Sequence, residues 1–356
     1  MVLVGGAKTS REFVLDAFDL NLSGNLREGA GVPVGVCLGG SWPFFAEGVT
    51  FEELLDDPLR AASIFYKVNE RVGADFITVG TGATALLFMG LGGKIQFSPK
   101  GAPVIASILA ESEDDIRRLD IDRAIKSEGL QWLRAVAEET VRLNGGRRAV
   151  FVSGRAPFTL AGQLAGLEFF TKSIYKDRSF VDTLLNFTLE LSSSYYEFML
   201  DAVGVDGIFA ADPSASGDVL SARHFESVVL PCLTLLLKRL EPYGKPSLLH
   251  ICGNITDRLH FLPQTGIGMI SLDSKVNLRR AREILGGKIA FAGNVHPVFV
   301  LEELTPLEVA EKTRECLEEA AAREGGFMLL PGCDLSSRVP EANVTEFVKM
   351  AHEWAG

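Results

Sequence analysis

Short, unbroken apolar runs recur along this chain, separated by longer stretches in which apolar positions return every three or four residues. An unbroken run closed by glycine or a polar residue reads as a strand buried on both faces. The three-to-four period reads as an amphipathic helix. Strands are so predicted at 33–38, 75–79, 149–153, 207–211, 247–250, 268–272, 288–292 and 326–330. Helical periodicity covers 58–73, 128–143, parts of 159–203, 222–241, 254–263, 277–285, 306–323 and a last segment starting near Pro340. Strand followed by helix, repeated, predicts a parallel sheet. Eight such units in one chain of 356 residues favour an α/β architecture closed as a (β/α)8 TIM barrel over an open sheet.

Two parts stand outside the repeat. Thr9, Ser10, Arg11 and Glu12 have capping-box spacing ahead of Phe13, Val14, Ala17 and Phe18, which predicts a short leading helix in an N-terminal extension, 1–32. A Gly-rich bend at Gly29, Ala30 and Gly31 ends it, and 33–356 form the single barrel domain. After the second strand, 81–126 are an insertion. Within it, 94–105 read as a hairpin turning near Pro99, Lys100 and Gly101, and 111–123 as a charged, solvated face.

Composition narrows the class without altering the architecture. With 47% hydrophobic and 23% charged residues the chain reads as globular, and a net charge of −11 argues against a nucleic-acid surface. No apolar stretch approaches the ~20 residues of a membrane helix, and the first residues do not read as a signal peptide, so a cytoplasmic protein is expected. Five cysteines in a chain this long are no disulfide framework; in a reducing compartment, a cysteine close to a histidine points instead to metal or catalysis.

In a barrel of this kind the active site lies at the C-terminal ends of the strands. The residues there are Gly39, Gly80, Ser153, Asp212, His250 to Cys252, Asp273, Asn294 and Cys333. His250 and Cys252 follow the fifth strand and Cys333 the eighth, so a closed barrel can bring them together across its mouth. Imidazole and two thiolates suit zinc, and three protein ligands leave a fourth position for chemistry. Cys37, Cys232 and Cys316 fall within elements and read as small buried hydrophobes. His224, His260 and His352 fall on helices and read as surface positions. His296, after the seventh strand and before Pro297, reads either as a site residue or as a turn residue.

Several phrases make the chain resemble the uroporphyrinogen decarboxylase superfamily, and within it the zinc-dependent, corrinoid-linked methyltransferases. They are Ala156-Pro157-Phe158-Thr159-Leu160-Ala161-Gly162, Ala211-Asp212-Pro213-Ser214-Ala215-Ser216, His250-Ile251-Cys252-Gly253-Asn254, Gly293-Asn294, and Pro331-Gly332-Cys333 leading into Pro340-Glu341-Ala342-Asn343. The resemblance implies a TIM barrel, zinc held by His250, Cys252 and Cys333, and a methyl group moved between a small methylated substrate or thiol and the cobalt of a cobalamin carried by a separate corrinoid protein. No Asp-x-His-x-x-Gly segment offers a cobalt ligand within this chain. Superfamily decarboxylases bind porphyrinogen carboxylates with an arginine pair soon after the first strand, where residues 39–45 here hold no arginine. Uroporphyrinogen decarboxylation is therefore the alternative, beside a zinc-stabilised barrel without catalysis. Asp75 stands near a position where the decarboxylases keep a functional aspartate. Asp212 reads either as an orienter of substrate or of the imidazole's second nitrogen, or as a turn cap in Asp-Pro. Gln163, Asn254 and Asn294 are candidate polar contacts. Trp42, with Phe44 and Phe45, either lines the substrate approach or packs its loop.

Overall fold

The computed structural model describes residues 8–20, 31–99, 101–201, 204–322 and 326–354. Seven strands form one parallel sheet in the order β1 (Phe76–Val79), β4 (Ala149–Arg155), β5 (Gly207–Ala211), β6 (Ser247–Ile251), β7 (Met269–Leu272), β8 (Ala290–Val295) and β9 (Phe327–Pro331). These match seven of the eight predicted runs, and the apolar continuity that revealed them is burial on both faces. The insertion carries the expected hairpin, β2 (Ile95–Ser98) against β3 (Gly101–Ile105). Lys100, Gly29, Ala30 and the end of the helix expected over 306–323 lie outside the described residues. Among the described residues no helix is long and apolar enough to cross a membrane.

The run at 33–38 is the exception. It pairs only at isolated bridges, Val34 with Leu329 of β9 and Gly35 with Phe76 of β1, both parallel. Pro33 has no N–H to donate, though its carbonyl accepts from the Leu329 amide at 2.9 Å. Beyond Gly35 the pairing passes to a side chain, the Thr78 hydroxyl donating to the Cys37 carbonyl at 2.9 Å. The segment thus touches both edge strands of the curled sheet without being a full strand. Gly35 is required for this approach, since a Cβ there would sit 2.7 Å from Leu330 and 2.8 Å from Phe76 side chains.

Most of the core lies between the sheet and the helices around it. A second cluster occupies the inner face: Phe76, Phe151, Phe209, Leu248, Met269, Ala290, Ala292, Met328 and Leu330, with Val14 and Ala17 of the helix Ser10–Asp16 packed against them. That helix has the predicted capping box and plugs the end of the sheet from which the strands start. Two other expectations are corrected. The stretch 254–263 forms a turn and then a 3₁₀ helix, Leu259–Thr265, with Pro263 inside it, whose ring in an α-helix would clash with the Leu259 carbonyl. The helix expected over 222–241 runs through a wide π turn, Phe225–Val229, just before Pro231.

Candidate metal centre

Period-two alternation along β6 turns Leu248 and His250 to the same face, so His250 lies one layer above the inner cluster. Parallel register sets Ser271 of β7 opposite His250. The imidazole Nδ1 lies 3.1 Å from the Ser271 hydroxyl and 3.3 Å from its carbonyl. A proton on Nδ1 satisfies that carbonyl and leaves the Nε2 lone pair free. Nε2 is 3.3 Å from the Cys252 sulfur, which is 3.9 Å from the Cys333 sulfur, and all three ligand atoms lie within 4.8 Å of one another.

Each thiol is placed by its loop. Gly253 turns the chain after Cys252 at φ +76, its N–H donating to Asp273 at 2.8 Å. A Cβ on Gly253 would fall 2.4 Å from the Ser216 hydroxyl and 2.6 Å from the Asp218 carboxylate. Asp218 also pairs with Lys275 at 2.8 Å, so loops from three strands lock around the Cys252 turn. Cys333 is held from the other side. The Gly332 amide donates to the Val295 carbonyl at 2.8 Å, and the Asp334 carboxylate accepts from the Gly39 amide at 3.1 Å and the Leu335 amide at 3.2 Å. Burial raises the Asp334 carboxyl above the usual range.

The two thiols titrate as a pair. The hydrogen bond from Cys252, then that from His250 and its charge, hold Cys333 well below the ordinary thiol range, against burial. Cys252 is pushed the other way, by its hydrogen bond to Cys333 and then by burial. Two adjacent thiolates resist forming together unless a cation joins them, and metal ligation supplies that cation. Tetrahedral zinc, with Zn–N about 2.05 Å and Zn–S about 2.3 Å, sets nitrogen and sulfur roughly 3.6 Å and two sulfurs roughly 3.8 Å apart. The spacings in the chain fit that donor set.

The other predicted site residues fall differently. Asp212 lies at the end of β5, fully buried, and Ser271 occupies the imidazole position expected for it. One Asp212 oxygen accepts from the Thr159 amide at 2.7 Å; the other is buried without a partner. Burial pushes its carboxyl up to about 6, against the Thr159 hydrogen bonds and the Arg155 charge. Gln163 lines a cavity of about 310 Å³ with Gly39, Gly80, Ser153, Arg155 and Asp334. Asn294 is a brace: its amide donates to the Asp273 carbonyl at 2.9 Å and the Val276 carbonyl at 2.7 Å, holding the loop that holds Gly253. Asn254 is exposed and closes a local turn by accepting from the Thr256 amide at 3.0 Å. Trp42 is core, 1% exposed, with its indole N–H on the Val339 carbonyl at 3.2 Å.

Asp75 precedes β1 and so lies at the end of the sheet opposite His250, Cys252 and Cys333. It accepts from the Ser10 hydroxyl at 2.5 Å and the Val34 amide at 3.1 Å, and pairs with His352 at 2.9 Å. His352 is therefore a partner of Asp75 and not a plain surface residue. His296 is the turn residue of its two readings, its Nδ1 accepting from the Val298 and Phe299 amides. Sequence reasoning passed over Ser271 and Arg155. The available signals were a hydroxyl inside the otherwise apolar run 268–272, and a cation at the C-terminal end of a buried strand.

With this geometry in hand, comparison with known proteins gives a family. Residues 44–354 match the uroporphyrinogen decarboxylase (URO-D) family, and the chain belongs to it. Its relatives by sequence include both methyltransferases and decarboxylases; a uroporphyrinogen decarboxylase of Koribacter versatilis is 27% identical over 317 residues, 87% of each chain. A methylcobamide:CoM methyltransferase (MtbA) of Methanosarcina acetivorans is 30% identical over 198 residues, 56% of this chain and 56% of that protein. Its namesake in Methanosarcina mazei is 28% identical over 244 residues, 68% of each. The matched stretch thus spans little more than half the length of the Methanosarcina acetivorans protein. A solved methyltransferase from Methanosarcina mazei has the same fold, at TM-score 0.83 and 20% identity over 97% of this chain and 98% of that one.

Proposed function

We propose that the protein is a zinc-dependent methyltransferase that moves a methyl group between a small methylated substrate or thiol and the cobalt of a separate corrinoid protein. The supporting observation is the cluster of one imidazole nitrogen and two sulfurs within 4.8 Å, with no fourth ligand of these types among the described residues. Zinc held by His250, Cys252 and Cys333 supplies a redox-inert Lewis acid that keeps a substrate thiol ionised, or polarises a substrate heteroatom, at neutral pH. Ser271 fixes the imidazole tautomer, and the Gly253 and Asp334 contacts fix the two sulfurs. Asp212, with an unpartnered oxygen and a carboxyl near 6, is the chain's own group able to hold or release a proton beside the substrate.

The same reading takes residues 33–38 as the eighth stave of a closed (β/α)8 barrel, since Val34 and Gly35 bridge β9 and β1. It takes 33–356 as one domain of a cytoplasmic enzyme, with the corrinoid entering at the C-terminal ends of the strands. The missing arginine pair in residues 39–45 disfavours porphyrinogen decarboxylation.

Metal analysis of the purified protein is expected to give about one zinc per chain, lost in His250→Ala and Cys333→Ala. Mixing the zinc-loaded protein with a methylated or Co(I) corrinoid protein and candidate substrates is expected to shift the cobalt spectrum only with the right substrate. Zinc unchanged in both variants would remove the site, and carbon dioxide released from uroporphyrinogen would replace the activity.

A further inference from the structure

β6 supplies two of the candidate ligands, His250 within the strand and Cys252 just beyond it, and the residues after β9 supply Cys333. β7 supplies none, yet it and the turn that follows it touch the support of all three. Ser271 of β7 faces the His250 imidazole, its hydroxyl 3.1 Å from Nδ1. Two residues on, the Asp273 carboxylate accepts from the Gly253 amide through one oxygen at 2.8 Å and from the Lys275 amide through the other at 2.9 Å. Gly332, the residue before Cys333, rests on the next residue of the same turn. A Cβ on Gly332 would stand 2.6 Å from the Ser274 nitrogen and 2.9 Å from the Ser274 Cβ. The Cys252 turn and the Cys333 loop thus both bear on one turn, 273–276.

That turn is fixed by its own bonds. Val276 is 2% exposed, and its amide donates to the Asp273 carbonyl at 2.9 Å. The Asn294 side-chain amide spans the turn, donating to the Asp273 carbonyl at 2.9 Å and the Val276 carbonyl at 2.7 Å. Gly253 is different. At φ +76 it has the conformational freedom of glycine, so its own torsions do not fix the direction of the preceding Cys252. The restraint comes from outside, from an ionised acceptor, whose bonds to N–H groups are shorter and stronger than neutral ones. Removing the carboxylate leaves the part-buried Gly253 amide without its partner. With that bond in place the two sulfurs stand 3.9 Å apart, near the roughly 3.8 Å of two sulfurs on tetrahedral zinc.

We infer that Asp273 is a positioning residue of the metal centre: through the Gly253 amide it fixes the Cys252 sulfur at the distance from Cys333 that a tetrahedral ion requires. The inference rests on the zinc reading above. Asp273→Ala and Asp273→Asn test it, with two readouts. One is zinc affinity in competition with a chromogenic chelator. The other is the visible spectrum of the Co(II)-substituted protein, whose bands report tetrahedral geometry and thiolate ligation. Asp273→Ala is expected to weaken zinc binding about 10- to 100-fold, the usual loss for an outer partner of a ligand, and to diminish the thiolate-to-cobalt charge-transfer band at saturating Co(II). Asparagine keeps one oxygen for two amides, so Asp273→Asn is expected to fall between Asp273→Ala and the unaltered protein on both readouts. A purely structural role would lower the melting temperature of the metal-free protein and leave the Co(II) spectrum at saturation unchanged. That result overturns the inference alone, as does unchanged zinc affinity in both variants. If Asp273→Ala does not fold, Asp273→Asn decides by the same two readouts. Failure of the unaltered protein to take up either zinc or Co(II) overturns the zinc reading together with it.

Discussion

At the residue scale, the candidate ligands were legible in the sequence and the groups that position them were not. His250, Cys252 and Cys333 carry soft donors at strand ends, a chemical signal independent of packing. Ser271 matters only because parallel register puts it opposite His250, and register cannot be read from one strand. Its hydroxyl and carbonyl both face Nδ1. Ser271→Ala keeps the carbonyl, so zinc affinity should fall toward the lower end of the ~10- to 100-fold loss usual for such outer partners. Competition with a chromogenic chelator measures this, and an unchanged dissociation constant would show that the carbonyl alone orients the ring. The settings of Trp42, Asn254 and Asp75 were not legible for a related reason. Each is a polar or aromatic residue near a strand end in sequence, but the direction of its side chain is set by neighbours far along the chain. The indole N–H of Trp42 is taken up by Val339, and Asp75 precedes its strand instead of ending it.

At the element scale, the strands were legible because burial on both faces leaves a plain apolar run. The segment at 33–38 has the same composition and lacks the ladder. Its backbone pairing stops after Pro33, Val34 and Gly35 and then passes to the Thr78 hydroxyl, which no periodicity records. Loops were the least legible elements, and the candidate metal site depends on them. Gly253 needs both a positive φ and the space of a missing Cβ. Gly253→Ala should therefore cost about 1–3 kcal/mol, the usual range for forced backbone strain, and also disturb Cys252. Urea unfolding of zinc-loaded protein, read as a lower midpoint at unchanged slope, together with zinc stoichiometry, checks both effects. A variant with full zinc and an unmoved midpoint would show that the Ser216 and Asp218 side chains swing aside freely.

At the scale of the whole molecule, one carboxylate joins the leading helix, the bridging segment and the helix Glu341–His352. Asp75 accepts from Ser10 on the plugging helix and from Val34 in the bridging segment, and pairs with His352 on the last helix, Glu341–His352. The Val32 amide adds a bond to the Ala351 carbonyl at 2.9 Å, so the bridging segment lies between that helix and β1. The Asp75 hydrogen bond raises the His352 imidazole above its usual 6.5, against desolvation. The folded protein therefore holds this proton more tightly than the unfolded chain. The resulting stabilisation is complete below about 6.5 and is lost as pH rises through the raised folded value. The melting temperature is expected to fall as pH rises above about 6.5, and His352→Gln, which can still hydrogen-bond but cannot be charged, should flatten that slope while lowering stability on the acid side. Zinc content is the control, because His352 and the triad lie at opposite ends of the strands. A loss of pH dependence with zinc retained assigns the effect to this junction, whereas an unaltered slope would mean that Asp75 holds the three segments through Ser10 and Val34 alone.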